Sequence, residues 1–193
     1  MTVALIDLST REIHAKIVFF GPELSGKTTT LNAIALGVPP EARGKLRAID
    51  SESARTVFSD SLPIDLGERL GFRLYWHLYS VPGQARSSGP RAAVLHGADG
   101  IVFVAEATLL RMAENMDSLT ELTGLLAAEG KPPAEFPFIL ACNKSDLPGA
   151  VPPSALASSL GVPNKLAIRA AAITGDGVFE VLRAISKLVA NRL

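Results

Sequence analysis

Hydrophobic and polar positions alternate along this chain with two periods, one typical of strands and the other of helices. Apolar runs rich in β-branched and aromatic residues predict strands at residues 13–20, 57–66, 70–80, 100–105, 136–142 and 165–173, and the second and third form a hairpin around Gly67. Apolar residues three or four positions apart predict helices at residues 28–36, 109–129 and 178–193. The polar segment 38–53 contains two prolines and a glycine and predicts a loop. Because strands alternate with helices, we expect an α/β fold with a mostly parallel central sheet, one antiparallel hairpin and helices on both faces.

Each of the two long helices has a predicted buried face. In the helix at 109–129 this face consists of Leu110, Ala113, Met116, Leu119, Leu122 and Leu126. In the last helix it consists of Val178, Val181, Leu182, Ile185, Leu188 and Val189. The run at 100–105 is apolar throughout, as expected of a central strand that helices cover on both faces.

Composition favours a single domain over residues 1–193. The chain has 193 residues, of which 48% are hydrophobic and 20% charged, a globular composition. Lys+Arg and Asp+Glu both number 19, so a bulk electrostatic attraction to nucleic acid or to anionic membranes is not expected. The single cysteine, Cys142, excludes an internal disulfide and is expected to be buried. Neither end carries a recognisable lipidation or secretion signal, so we expect a cytoplasmic protein without a membrane anchor of its own.

The strongest chemical signal is the segment 21–28, which reads GPELSGKT between a predicted strand and a predicted helix. It matches the pattern G-x-x-x-x-G-K-[ST], in which backbone N–H groups and a helix N-terminus form a cradle for phosphates. In this pattern Lys27 can neutralise the β- and γ-phosphates, and the Thr28 hydroxyl can bind Mg²⁺. The segment therefore predicts a nucleoside triphosphate site.

A second polar segment, NKSD at residues 143–146, directly follows the strand predicted at 136–142. Ligands of parallel sheets bind at the carboxyl ends of the strands. A carboxylate such as Asp146 accepts the N1–H and N2–H₂ donors of guanine, whereas adenine presents an acceptor at N1. Lys144 would lie along the base. A polar turn at the end of a strand also explains this segment taken alone, but its place after the phosphate-binding pattern favours a guanine nucleotide.

With these two motifs the chain resembles the Ras-like small GTPases, which are P-loop NTPases with a G domain, and among them the bacterial MglA family. Further matches are Arg55 and Thr56 before the second strand, VPGQ at 81–84, DGIVFVA at 99–105 and GDGVFE at 175–180. The resemblance extends from about residue 11 to the end of the chain. Ser80 stands where most Ras-like proteins have an aspartate and where the MglA family has a threonine.

The resemblance implies roles for individual residues. Gln84 would orient the attacking water, and Arg55 would supply a catalytic positive charge from within the chain. Thr28 and Thr56 would hold Mg²⁺, Ser80 could hold a metal-bound water, and Ala172 would offer its backbone N–H to guanine O6. The full set of predicted nucleotide-binding residues is Gly21, Glu23, Leu24, Ser25, Gly26, Lys27, Thr28, Thr29, Thr56, Gly83, Asn143, Lys144, Asp146 and Ala172.

The function implied by the resemblance is that of a switch that binds GTP·Mg²⁺ and hydrolyses it slowly to GDP. The family suggests a role in cell polarity and motility, and a Roadblock-family homodimer, MglB, as the activating partner. Glu23 stands where the family prefers glycine, and a carboxylate there repels phosphate, so we expect Glu23→Gly to raise intrinsic hydrolysis. The alternatives are a hydrolysis-impaired scaffold that binds guanine nucleotides, which Glu23 and Ser80 support, and an ATP-using P-loop enzyme, which the NKSD segment disfavours.

Overall fold

A computed structural model describes residues 4–49, 59–81, 88–131 and 135–193. The described residues form eight strands: β1 (Leu5–Asp7), β2 (Glu12–Phe20), β3 (Arg47–Ile49), β4 (Ser59–Arg69), β5 (Phe72–Ser80), β6 (Gly100–Glu106), β7 (Phe138–Asn143) and β8 (Ala167–Arg169). They also form five α-helices: α1 (Lys27–Gly37), α2 (Ser88–Leu95), α3 (Met112–Ala128), α4 (Pro153–Ser159) and α5 (Val178–Ala190). Short 3₁₀ helices lie at Pro40–Ala42, Leu109–Arg111 and Asn164–Leu166.

The strands form one sheet in the order β3-β4-β5-β2-β6-β7-β8, with β1 paired to the start of β2. β2 runs parallel to β5 and β6, and parallel pairing continues through β7 to β8. β4 forms an antiparallel hairpin with β5. The predicted fold class is therefore confirmed, and the short strands β1 and β3 extend the antiparallel part of the sheet. This topology places the carboxyl ends of β2, β6 and β7 at the same edge, where ligands of such sheets bind.

Helices cover both faces of the sheet. Residues of α1 and α5 pack with Ile17, Phe19 and Trp76 on one face, and residues of α2, α3 and α4 pack with Phe20 and Phe103 on the other. Every residue of β6 is buried, as its continuous apolar sequence predicts. Within the described ranges, none of the helices combines the length and the apolar composition needed to cross a bilayer.

Most predicted elements are present with bounds that differ by a few residues. The helix predicted at 28–36 is α1, and the one predicted at 178–193 is α5, which buries its predicted face except that Leu188 is only partly buried. The hairpin is β4–β5, although residues 57 and 58 of its first predicted strand lie outside the described residues. Cys142 is buried in β7, as expected.

The element prediction is wrong in several details. The predicted loop at 38–53 contains a 3₁₀ helix and the strand β3, which is held by pairing with β4 rather than by any local apolar pattern. The helices α2 and α4 were not predicted, because each is short and contains a proline. A helix of fewer than three turns shows too few apolar repeats to be recognised by periodicity.

The predicted buried face of α3 is also partly wrong. Leu110 and Met116 are 92% and 49% exposed, whereas Asn115 and Ser118 are buried. Asn115 faces inward because its side chain binds the backbone of Glu106: Oδ1 accepts from the Glu106 N–H at 3.2 Å, and Nδ2 donates to the Glu106 carbonyl at 2.9 Å. Polar contacts to the end of β6 therefore decide which side of α3 faces the sheet.

Candidate functional site

The loop between β2 and α1 has a backbone shape that only glycine fits at two positions. Gly21 has φ 146° and Gly26 has φ 97°, both in the positive region that side chains rarely adopt. A Cβ atom at Gly21 would clash with the Val104 carbonyl, and one at Gly26 would clash with the Asn143 side-chain amide. The loop therefore packs closely between the ends of β6 and β7.

Lys27 begins α1 and turns its ammonium group back into this loop. Its Nζ donates to the carbonyls of Gly21 at 3.1 Å and Pro22 at 2.6 Å. The pKa of Lys27 is lowered to about 7, chiefly by burial and secondarily by the positive charge of Arg91, while the negative charge of Glu23 partly opposes both effects. The described residues thus hold the ammonium with neutral carbonyls only. A phosphate in the loop would supply the anion that favours its charged form.

The loop also contains a buried polar atom with no partner. The Ser25 hydroxyl is fully buried and makes no hydrogen bond within the described part of the chain. A buried hydroxyl without a partner is unusual, because its desolvation is then uncompensated. Together with the glycine-shaped backbone and the enclosed Lys27, it fits a loop built around an anion.

Beside the start of α1 lies a pocket of about 310 Å³. It is lined by Gly26, Thr29, Asn143, Lys144, Asp146, Leu147, Ala172 and Ile173. Asn143 is buried in its wall and joins the surrounding loops: its Nδ2 donates to the Ser25 carbonyl at 2.7 Å, and its Oδ1 accepts from the Ala172 N–H at 2.9 Å. The two sequence motifs, 118 residues apart between Ser25 and Asn143, are therefore in direct contact.

The predicted base-binding residues surround this pocket. Asp146 is exposed at the pocket, where its carboxylate is open to a ligand. Lys144 has a positive φ of 60°, and its Nζ donates to Glu106 Oε2 at 2.6 Å, a contact that the sequence did not predict. The Ala172 N–H, predicted to meet guanine O6, donates to Asn143 in this structure, so binding O6 requires that this bond be shared or exchanged.

A carboxylate that the sequence analysis missed lies beside Thr28. Asp60 Oδ2 accepts from the Thr28 hydroxyl at 2.6 Å and from the Ser80 hydroxyl at 3.0 Å. The Asp60 N–H also donates to Ser80 Oγ at 3.2 Å. Carboxylate and hydroxyl oxygens are ligands that Mg²⁺ prefers, directly or through water. Asp60 thus brings an acidic group to the place where Ser80 supplies only a hydroxyl.

The remaining predicted residues fall into two groups. Glu23 and Leu24 are exposed in the loop, and the Glu23 carbonyl accepts from Arg111 Nη2 at 2.9 Å. Arg55, Thr56, Gly83 and Gln84 lie outside the described residues. Their predicted positions around the γ-phosphate therefore stay predictions.

Comparison with known proteins agrees with this geometry. No protein-family model matches the chain. The chain is 43% identical over 191 residues to the mutual gliding-motility protein MglA of Myxococcus xanthus, which covers 99% of this chain and 98% of that protein. It is 26% identical to an ADP-ribosylation factor-like protein 6 of Caenorhabditis elegans, over 95% of this chain and 90% of the relative. It is also 26% identical to the Ras-related protein RABG3c of Arabidopsis thaliana, over 73% and 63%. The chain therefore belongs to the MglA family of Ras-like small GTPases.

Proposed function

We propose that this chain is a switch that binds GTP with Mg²⁺ and hydrolyses it slowly to GDP. The observation that carries the proposal is the contact between the phosphate-binding loop and the NKSD segment through Asn143 and the Ser25 carbonyl. This contact makes one continuous wall from a phosphate cradle to a pocket large enough for a base. A nucleotide carries phosphates at one end and a flat base at the other. It would therefore occupy the phosphate cradle and the pocket together.

Guanine is the proposed base because of the acceptor at the pocket. The Asp146 carboxylate is exposed there and accepts hydrogen bonds without donating any. Guanine offers two donors to it, whereas adenine offers an acceptor at N1. The bond from Lys144 to Glu106 holds the lysine stem beside the same pocket, where it would lie along the base.

Mg²⁺ would be held by Thr28, with Thr56 as a second ligand from the chain. When bound, the ion neutralises charge on the phosphate oxygens as the γ-phosphoryl group is transferred. Asp60 and Ser80 would accept hydrogen bonds from metal-bound water, because Asp60 bonds to the Thr28 hydroxyl and Ser80 bonds to the same oxygen of Asp60. Asp60 would in this way replace the aspartate that most Ras-like proteins have at the position of Ser80.

Hydrolysis would depend on Gln84 and Arg55, as the family resemblance implies. Phosphoryl transfer is mostly a matter of water positioning and charge stabilisation, and an arginine near the transferred group contributes about 10³–10⁵ in rate. Gly83 would contact the nucleotide next to Gln84. Glu23, exposed in the phosphate loop, would slow hydrolysis by repelling the γ-phosphate.

The cellular role is proposed from the relative whose name refers to gliding motility. We infer a cytoplasmic protein whose single G domain, residues 1–193, acts in cell polarity or motility. Its proposed regulator is an MglB-like homodimer of the Roadblock family.

Two measurements on the purified protein test the proposal. Nucleotide extracted from the protein and separated by chromatography should be GDP or GTP. A single-turnover assay with GTP and Mg²⁺ should then show slow release of phosphate. Copurifying adenine nucleotide would contradict the guanine assignment, and retained GTP without phosphate release would favour the scaffold alternative.

A further inference from the structure

A buried carboxylate lies between the two binding loops, at the carboxyl end of β6. Glu106 is 9% exposed, and its Oε2 accepts from Lys144 Nζ at 2.6 Å. Its other oxygen, Oε1, accepts from the Thr108 hydroxyl at 3.1 Å. Arg111 Nε is 3.8 Å from Oε2, and Nη2 of the same guanidinium donates to the Glu23 carbonyl of the phosphate loop at 2.9 Å. Glu106 therefore lies between the cation of the NKSD segment and a cation bonded to the phosphate loop.

A carboxylate at this edge of the sheet is unfavourable for a site that binds phosphates, because like charges repel. Burying it also has a desolvation cost, which only close partners offset. Glu106 is not among the residues that line the pocket, whereas Lys144, the cation closest to it, is. The carboxylate therefore acts on the pocket through the side chain of Lys144.

The backbone at Lys144 has a shape that glycine or asparagine adopts more readily than lysine. Its φ is 60°, in the left-handed region. Backbone bonds close the turn, from the Leu147 N–H to the Lys144 carbonyl and from the Ser145 N–H to the Ala170 carbonyl, both at 3.1 Å. Neither bond needs a lysine side chain, so the strain is offset by what this side chain does. The structure gives it two roles, the bond to Glu106 and a place in the pocket wall.

We infer that Glu106 is a positioning residue for the base: it takes up the ammonium of Lys144, so that the lysine meets guanine through its apolar stem alone. A lysine stem can pack along a flat apolar surface while its charged end pairs elsewhere. The charge of Lys144 then serves to pair Glu106 and not to bind the nucleotide. The inference rests on the proposed function, and Glu106 itself touches no nucleotide.

This division of roles predicts that both charges can be removed together at little cost to binding. Methionine is unbranched and close in length to both side chains. Replacing both partners of a buried polar pair by apolar groups of similar shape is often nearly neutral, whereas removing one partner leaves the other buried and unpaired. The Glu106→Met/Lys144→Met double variant should therefore bind guanine nucleotide better than either single variant.

The test compares the wild type, Glu106→Met, Lys144→Met and the double variant. The control is Glu114→Gln, which removes a carboxylate that bonds to Arg111. Circular dichroism and the dissociation constant for a fluorescent GDP are measured on each protein. Each single variant should bind GDP about 10-fold more weakly, since a hydrogen bond between charged groups is lost. The double variant and the control should stay within about threefold of the wild type.

Single-turnover hydrolysis separates a role at the base from general damage to the site. In Glu106→Met the GTP concentration for half-maximal rate should rise about 10-fold, while the rate at saturating GTP stays within about threefold of the wild type. This split is expected when a substitution removes binding that the ground state and the transition state share.

Two results would overturn the inference. One is wild-type GDP affinity in folded Glu106→Met. The other is a double variant that binds GDP no better than Lys144→Met, because the ammonium itself would then contact the nucleotide. If Glu106→Met does not fold, Glu106→Gln, which keeps an acceptor for Thr108, takes its place in the single and the double variant. Failure of the proposed function is distinguishable, because the wild-type protein would then not bind fluorescent GDP.

Discussion

Thr28, Asp60 and Ser80 form a hydrogen-bonded group at the start of α1, beside the proposed metal position. The hydroxyls of Thr28 and Ser80 both donate to the same oxygen, Asp60 Oδ2, at 2.6 and 3.0 Å. The two donors hold the carboxylate in place beside the proposed metal ligand. Residues that orient a metal ligand or its water typically contribute 10- to about 100-fold to metal affinity.

Asp60→Asn should raise the Mg²⁺ concentration needed for half-maximal GTP hydrolysis about 10-fold. The amide has no negative charge, and one of its two terminal atoms becomes a donor. A Mg²⁺ titration of single-turnover hydrolysis measures the change. Asp65→Asn is the matched control, because it lies on the same strand and bonds to Arg73 instead. Equal Mg²⁺ requirements in the two variants would contradict a role for Asp60 at the metal.

Asp60 also shows which site residues a sequence can reveal. Lys27 and Thr28 belong to one contiguous motif, so the local pattern is sufficient to find them. Asp60 lies 32 residues from Thr28, and pairing of β4 with β5 brings it beside Ser80. No local spacing encodes that register. Glu106 was missed for a similar reason, because its charged partners belong to the NKSD segment and to the 3₁₀ helix at Leu109–Arg111.

Among the elements, the end of β7 connects the loops that surround the proposed site. Asn143 is its last residue, and its buried side chain bonds to the Ser25 carbonyl and the Ala172 N–H. The strand end, the phosphate loop and the segment before α5 are thereby tied to one amide group.

Asn143→Ala should lower the free energy of unfolding of the nucleotide-free protein by about 2–3 kcal/mol. The substitution leaves a buried carbonyl and a buried N–H without their partner, and each carries its own desolvation cost. Urea denaturation followed by circular dichroism gives the value. Asn164→Ala, at an exposed position, should change stability little by comparison. A similar small effect for both variants would show that Asn143 does not connect these loops.

A histidine pair joins β2 to β5 at the opposite end of the sheet. His14 Nδ1 and His77 Nε2 are 3.0 Å apart, and His14 Nε2 is 3.3 Å from Glu12 Oε2. The ring of His14 also stacks on Tyr75 with centroids 4.9 Å apart. Burial, and secondarily the proximity of His14, lower the pKa of His77 below its ordinary value of 6.5. The folded protein therefore favours neutral His77.

This shift predicts a loss of stability in mild acid. Because the unfolded chain takes up a proton on His77 more readily than the folded one, stability due to neutral His77 is present above pH 6.5. It is lost as the pH falls from there through the lower pKa of the folded state. Urea midpoints at pH 7.5 and 5.5 should differ less in His77→Gln than in wild type. His96→Gln, which removes an exposed histidine, should keep the wild-type difference; an equal difference in all three proteins would contradict the assignment.

The elements themselves were predictable in proportion to their length and burial. β6 and α5 have strong apolar patterns and were predicted within a few residues. β3 has only three residues and is defined by its pairing with β4. α2 is short and contains a proline, so its local pattern is weak. The prediction for the inward face of α3 is wrong because Asn115 bonds to the Glu106 backbone, a contact that apolar periodicity does not reveal.

For the molecule as a whole, the proposed nucleotide site connects distant parts of one sheet edge. The β2–α1 loop, the β7 end and the segment around Ala172 surround the same pocket, and Thr28 reaches β4 through Asp60. A ligand that contacts these parts together binds the folded state alone. Guanine nucleotide should accordingly stabilise the whole chain by mass action, about 2.7 kcal/mol at 100 times its dissociation constant.

Competition for bound fluorescent GDP tests the central claim most directly, with the wild type, Asp146→Asn and the exposed α3 control Asp117→Asn compared. GTP should displace the label from the wild type and from the control, whereas ATP in about 100-fold excess should not. Asp146→Asn should weaken GTP binding about 100-fold, because the negative charge is lost and one of the two acceptor oxygens becomes a donor that faces a donor of guanine. Displacement by ATP as effective as by GTP, or full GTP affinity in Asp146→Asn, would contradict the claim that this carboxylate selects guanine.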